Sequence, residues 1–176
     1  MRKLFMVLGV SFLLLLTMGV GRNISAQATT KYLSVSPGAF RPINWDQMAV
    51  IMWAGTDDEF NFDTGGSGVF QAVAPVYLPH GAIVKKLTVY YTDNGAHSND
   101  YFDAAFSRRK LATGAYGALA SMTTKAAPAS TARKNVEVLI TKNKKVDNLN
   151  YSYFIKLFFY SGNVDVKFNG AVIEYE

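Results

Sequence analysis

YSYFIKLFFYSGNVDVKF, residues 151–168, decides the fold. Its first ten residues set Tyr151, Tyr153, Ile155, Leu157 and Phe159 at every second position, the period of a β-strand and not of a helix. Val164, Val166 and Phe168 then alternate with Asp165 and Lys167, as in a strand with one buried and one wet face. Ser161-Gly162-Asn163 between two such runs reads as a tight hairpin turn. The pair predicts two antiparallel strands lying side by side.

The same period recurs along most of the chain. In LTVYY (87–91), Leu87, Val89 and Tyr91 share one face while Thr88 and Tyr90 share the other. Strands are expected at 31–36, 48–53, 69–78, 84–92, 101–107, 119–124, 135–141, 151–160 and 164–175. Turn signals such as SPG (36–38), PHG (79–81), DNG (93–95) and VDNLN (146–150) separate them. Gly170 falls inside the last run, where a glycine marks a bulge more often than an end. Eight or nine strands at this spacing, without helical periodicity, indicate an all-β fold: an antiparallel β-sandwich laid out as a jelly roll.

The ends and totals bound where the protein works. Arg2 and Lys3 precede an apolar run from Leu4 to Val20, and Ala26-Gln27-Ala28 supplies small residues at the spacing a signal peptidase reads. Residues 1–28 are therefore expected to be a cleaved signal peptide, and 29–176 a single domain, secreted or periplasmic and not inserted in a membrane. The leader holds three of the 18 basic residues (Arg2, Lys3, Arg22) and no acid, leaving 15 against 13, a net charge of +2. Its short clusters RRK (108–110) and KNKK (142–145) do not make the concentrated basic face that nucleic acid requires. Cysteine is absent, which excludes thiol catalysis, thiolate metal sites and disulfides. An outer-membrane barrel is disfavoured because VDVKF turns charges outward and the chain closes on Glu176 rather than on an aromatic residue.

APVYLPHGAIVKKLTVYYTDN (74–94), FSRRKLA (106–112), NYSYFIKLFF (150–159) and VKFNGAVIEYE (166–176) together resemble a pattern of exported bacterial β-sandwich proteins. In that group an LP-x-GA corner precedes a strand ending in Asp-Asn. The resemblance implies a fold and export, and no activity. Within the corner, Pro79 fixes its own φ, Gly81 is free to take the positive φ of a turn, and His80 is expected to be an exposed corner residue without a partner. Lys85 and Lys86 point to opposite faces and cannot make one basic patch.

Catalytic patterns are sparse. Asp63-Thr64-Gly65 matches the trio of aspartic proteases, but Gly66 stands where a serine or threonine is needed. There are two histidines, His80 and His97, no H-E-x-x-H helix and no G-x-S-x-G elbow. A glycosidase needs only two carboxylates, and nothing singles out a pair. The chain is therefore read as a non-enzyme. Two acidic loops, 56–63 and 93–103, carry hard oxygen groups; in the second, Asp93, Asn99, Asp100 and Asp103 form the better candidate calcium site. No other cofactor is indicated.

Aromatic excess sets this chain apart from a plain sandwich. Phe154, Phe158 and Tyr160 occupy the second face of the 151–160 strand, interrupted by Ser152 and Lys156. A strand apolar on both faces must be covered on both, by loops, by a neighbouring subunit or by a ligand. Trp45, Trp53, Tyr90, Tyr101 and Tyr116 are further candidates for outward rings. Self-association into a homo-oligomer is the first functional expectation, with the chain as a structural or interaction protein. Carbohydrate binding on an aromatic platform is the second, with a polysaccharide as partner, and a glycoside-active enzyme is the third.

Overall fold

In the computed structural model the described residues are 28–43, 51–54, 59–62, 69–94, 101–160 and 166–176, with backbone alone at 51–54 and 59–62. They form eleven strands and one 3-10 turn, Pro37–Ala39. The strands are β1 (Lys31–Val35), β2 (Arg41–Pro42), β3 (Ile51–Ala54), β4 (Glu59–Phe62), β5 (Phe70–Val76) and β6 (Val84–Asp93). The chain continues through β7 (Phe102–Lys110), β8 (Tyr116–Thr123), β9 (Ser130–Leu139), β10 (Tyr151–Phe159) and β11 (Val166–Tyr175). Each of the nine expected strands is present, and β2 and β4 are additional. Among the described residues no helix is long and apolar enough to cross a membrane.

One sheet runs β3-β4-β11-β6-β9, with β1 also paired to β11, and the other runs β2-β5-β10-β7-β8. All pairings are antiparallel. The interleaved orders 4-11-6-9 and 5-10-7-8 are those of a jelly roll. The expected hairpin between the 151–160 and 164–175 strands does not form. β10 is central in the five-stranded sheet, flanked by β5 and β7, while β11 is central in the other. Alternation marks a strand but not its partner. In a jelly roll a short connection also serves to cross from one layer to the other.

The two inner faces meet in one core. Leu87, Val89 and Tyr91 of β6, Val166, Phe168 and Ile173 of β11, and Tyr153, Ile155, Leu157 and Phe159 of β10 are all buried. Phe102 stands at the centre of an aromatic cluster, 5.2 Å from Phe159 in a stacked pair and edge-on to Tyr91 and Phe168. Offset and edge-to-face rings satisfy their quadrupoles beyond simple area burial. Gly170 sits at the bulge in β11 with φ +133°, and a Cβ there would meet the Val35 carbonyl oxygen at 3.4 Å. The positive φ requires glycine, whereas a Cβ would meet the Val35 oxygen only at ordinary contact distance.

The LPHGA corner turns as its sequence demands, Gly81 at φ +83°, but His80 is not partnerless. Its Nδ1 accepts the Asn148 N–H at 3.2 Å, and the Gly81 N–H donates to the Val146 carbonyl at 2.8 Å. The corner is thus clasped to the 146–150 turn. Lys85 pairs with Glu176 at 2.8 Å, and Lys86 lies between Glu137 at 3.1 Å and Glu174 at 3.5 Å. Both are end or edge charges on separate faces.

Candidate functional site

β10 presents Phe154, Lys156 and Phe158 on the outer face of its sheet, all half-buried, while its odd-numbered residues from Tyr153 to Phe159 fill the core. Strand register decides what surrounds them. Phe154 lies between Pro75 and Ser107, Lys156 between Val73 and Ala105, and Phe158 between Gln71 and Asp103. The neighbours of the first two rungs are small or apolar, so the face around Phe154 and Lys156 has little polar surface of its own.

The three expected rings do not act alike. Tyr160 stacks on Tyr101 at 4.5 Å with planes 16° apart, and its hydroxyl donates to the Asp103 carboxylate. Burial first, and then the Asp103 charge, raise the Tyr160 phenol above its ordinary value. Phe158 has the Lys156 ammonium 4.4 Å from its ring centre, a cation–π contact. Phe154 lines open space.

That space is a groove of about 410 Å³ running across the outer face. Val73 and Pro75 of β5, Phe154 of β10 and Ile43 after β2 supply apolar walls, and Tyr116, 69% exposed, closes the β8 side. Lys156, Arg109 and Ser152 are the polar side chains on its lining. The Lys156 ammonium is held below its ordinary value, by burial first and by the Arg109 charge second. Among the described residues neither Lys156 nor Arg109 has a carboxylate at ion-pair distance.

Of the candidate calcium ligands, Asn99 and Asp100 lie outside the described residues. The other two are not brought together. Asp93 is buried and continues the inward series of β6, whereas Asp103 is on the outer face of the opposite sheet. Among the described residues no group of three acidic or imidazole side chains is placed to hold a metal ion. Asp63-Thr64-Gly65, His97, Trp45, the side chain of Trp53 and residues 1–27 also lie outside the described residues. Tyr90 does point outward, on the six-stranded sheet and away from the groove.

Sequence reading alone did not assign Ile43, Val73, Pro75, Arg109 or Lys156 to a site. Lys156 carried a signal, being the one charge inside an aromatic strand face. The others belong to separate strands that only the register brings together.

No protein-family model and no curated protein matches the sequence. Solved structures do match in shape. A family 29 carbohydrate-binding module is 9% identical, covering 84% of this chain and 90% of its own, with a TM-score of 0.44. The C-terminal CBM6 of the laminarinase LamC from Zobellia galactanivorans is 8% identical, covering 81% and 98%, with a TM-score of 0.44. A xylan-binding module, CBM15, is 8% identical over 83% of this chain and 97% of that one, with a TM-score of 0.52. The chain is thus an antiparallel β-sandwich of the kind seen in that xylan-binding module.

Proposed function

We propose that the protein is an exported carbohydrate-binding module that takes a polysaccharide chain along the outer groove of its five-stranded sheet. One observation carries this reading: the second face of the central strand β10 is aromatic, partly exposed, and opens onto a groove bordered by Phe154, Pro75 and Tyr116. A flat ring stacks on the C–H face of a sugar while side-chain donors at the edge meet its oxygens. The fold shared with a xylan-binding module is compatible with this use, and the leader at 1–28 and the resemblance to exported bacterial proteins support a place outside the cytoplasm. The described lining of the groove, apolar and aromatic with two cations, supports reading it as a binding surface.

The test is affinity electrophoresis of the 29–176 protein through gels containing soluble polysaccharides, followed by calorimetry with oligosaccharides of the retarding polymer. Phe154→Ala should weaken binding roughly tenfold or more, as truncation of a central aromatic anchor does. Unretarded migration through every neutral and acidic polymer would overturn the reading. If the protein then sediments as an oligomer that Phe158→Asp dissociates, self-assembly over the same rings takes its place.

A further inference from the structure

Among the described lining residues the groove's charged chemistry is one-sided, while the hydroxyls of Ser152 and Tyr116 both donate and accept. Lysine and arginine are donors only, and Lys156 and Arg109 are its charged lining residues. A neutral sugar hydroxyl both donates and accepts, and sites matched to it mix donors with carboxylate or amide acceptors. An oxyanion only accepts. Lys156 is also fixed in place: it sits mid-strand between Phe154 and Phe158, its ammonium against the Phe158 ring. No carboxylate among the described residues neutralises it or Arg109. Two like charges thus share a partly buried groove with no carboxylate at ion-pair distance among the described residues.

Resting on the binding reading above, we infer that the ligand is an acidic glycan, whose carboxylate or sulfate ester sits at Lys156 and Arg109 while its ring lies over Phe154. Charge complementarity supplies what the groove lacks. The depressed Lys156 pKa fits this, because an anion beside the ammonium would offset both its desolvation and its repulsion from Arg109. Arg109, exposed at the edge of the groove, can grip a planar carboxylate with two parallel hydrogen bonds.

Calorimetry on the 29–176 protein with three oligosaccharides of equal length decides the matter: a neutral xylo-oligosaccharide, an oligogalacturonate and a sulfated galactan fragment. The expected result is that at least one acidic ligand binds roughly tenfold more tightly than the neutral one, the worth of a charge-assisted contact. That advantage should shrink as salt is raised. Lys156→Gln and Arg109→Gln should each lower the affinity for the acidic ligand more than that for the neutral one, so that the preference shrinks, and circular dichroism checks that both variants fold. Preference for oligogalacturonate over the sulfated fragment identifies a carboxylate ligand, and the reverse a sulfate. Equal affinity for neutral and acidic ligands, or a preference that survives both substitutions, overturns the inference and leaves the binding reading standing. Binding to none of the three when another neutral polysaccharide retards the protein overturns it as well. Failure with every polymer removes both.

Discussion

The outer faces of the two sheets use the same alternation and finish it differently. On the six-stranded sheet Lys86 stands between Glu137 and Glu174, and Thr92 Oγ1 donates to Asn169 Oδ1 at 3.0 Å. Among the described residues, exposed apolar groups on this sheet stand at separate rungs: Tyr90 is opposite Asn135, Leu139 opposite Lys86 and Tyr32 opposite Glu174. On the five-stranded sheet the mid-strand lysine, Lys156, has rings two residues away on either side and a second cation nearby. Glu137 holds Lys86 above its ordinary value, mainly by its hydrogen bond, while burial holds Lys156 below. Among the described residues, the lysine of one face is paired within the chain, and the lysine of the other has no carboxylate at ion-pair distance. The proposed groove rests on that difference.

The largest expected effect separates inner rings from outer ones. Phe102→Ala removes the buried hub of the aromatic cluster and should cost about 3–5 kcal/mol. Phe154→Ala, on the half-buried outer face, should cost within about 1 kcal/mol while abolishing most glycan affinity. Urea unfolding of both variants checks this. If Phe154→Ala destabilises as much as Phe102→Ala, the outer face is a second core and the contrast between the sheets fails.

A smaller effect concerns what covers the outer face. With a glycan as its occupant, the protein should sediment as a monomer, and Phe158→Asp should leave both its size and its β-sheet circular dichroism unchanged. Phe158 sits beside Asp103, so the new carboxylate should cost a little stability through like-charge repulsion. A wild-type oligomer that this substitution dissociates would make the face a subunit interface.

The strands were legible because period 2 needs no partner to be visible. Leu87, Val89 and Tyr91 are buried as their spacing required, and Gly170 marks a bulge as its place inside an alternating run required. What the chain hid is long-range. As a sequence, Ser161-Gly162-Asn163 reads the same whether its flanking strands pair or lie in different sheets, and β10 pairs with β5 and β7 instead of β11. His80 found its partner in Asn148, 68 residues away. The two-residue β2 and four-residue β4 are too short to show a period. The second apolar face of 151–160 was readable, but its groove was not. Pro75, Phe154, Arg109 and Tyr116 come from four strands, and no local pattern joins them.

The smallest effect is the most direct probe of the contrast, because it sets the two lysines against each other. Lys86 has a folded-state pKa raised above the ordinary lysine value of 10.5 by Glu137 and Glu174. Its contribution to stability is therefore present below that value and is lost as pH rises through the folded value. Lys156 has a folded-state pKa lowered from 10.5 by burial and by Arg109. Below 10.5 the folded chain then binds fewer protons at this position than the unfolded chain, so the Lys156 contribution grows with pH across that window. Tyr91 and Tyr160 also titrate there, both raised by burial, so the wild-type profile alone is a mixture. Differences from wild type isolate the lysines. Urea unfolding of Lys86→Met and Lys156→Met between about pH 9 and about pH 11 should give opposite slopes. Lys86→Met should be less stable than wild type at the lower end, with the deficit shrinking towards the upper end and in high salt. Lys156→Met should be as stable as wild type or more so at the lower end, with the advantage fading as the wild-type ammonium loses its proton. Parallel slopes would mean that Lys156 has an acid partner on its own sheet, and the outer face would then be as self-sufficient as its counterpart.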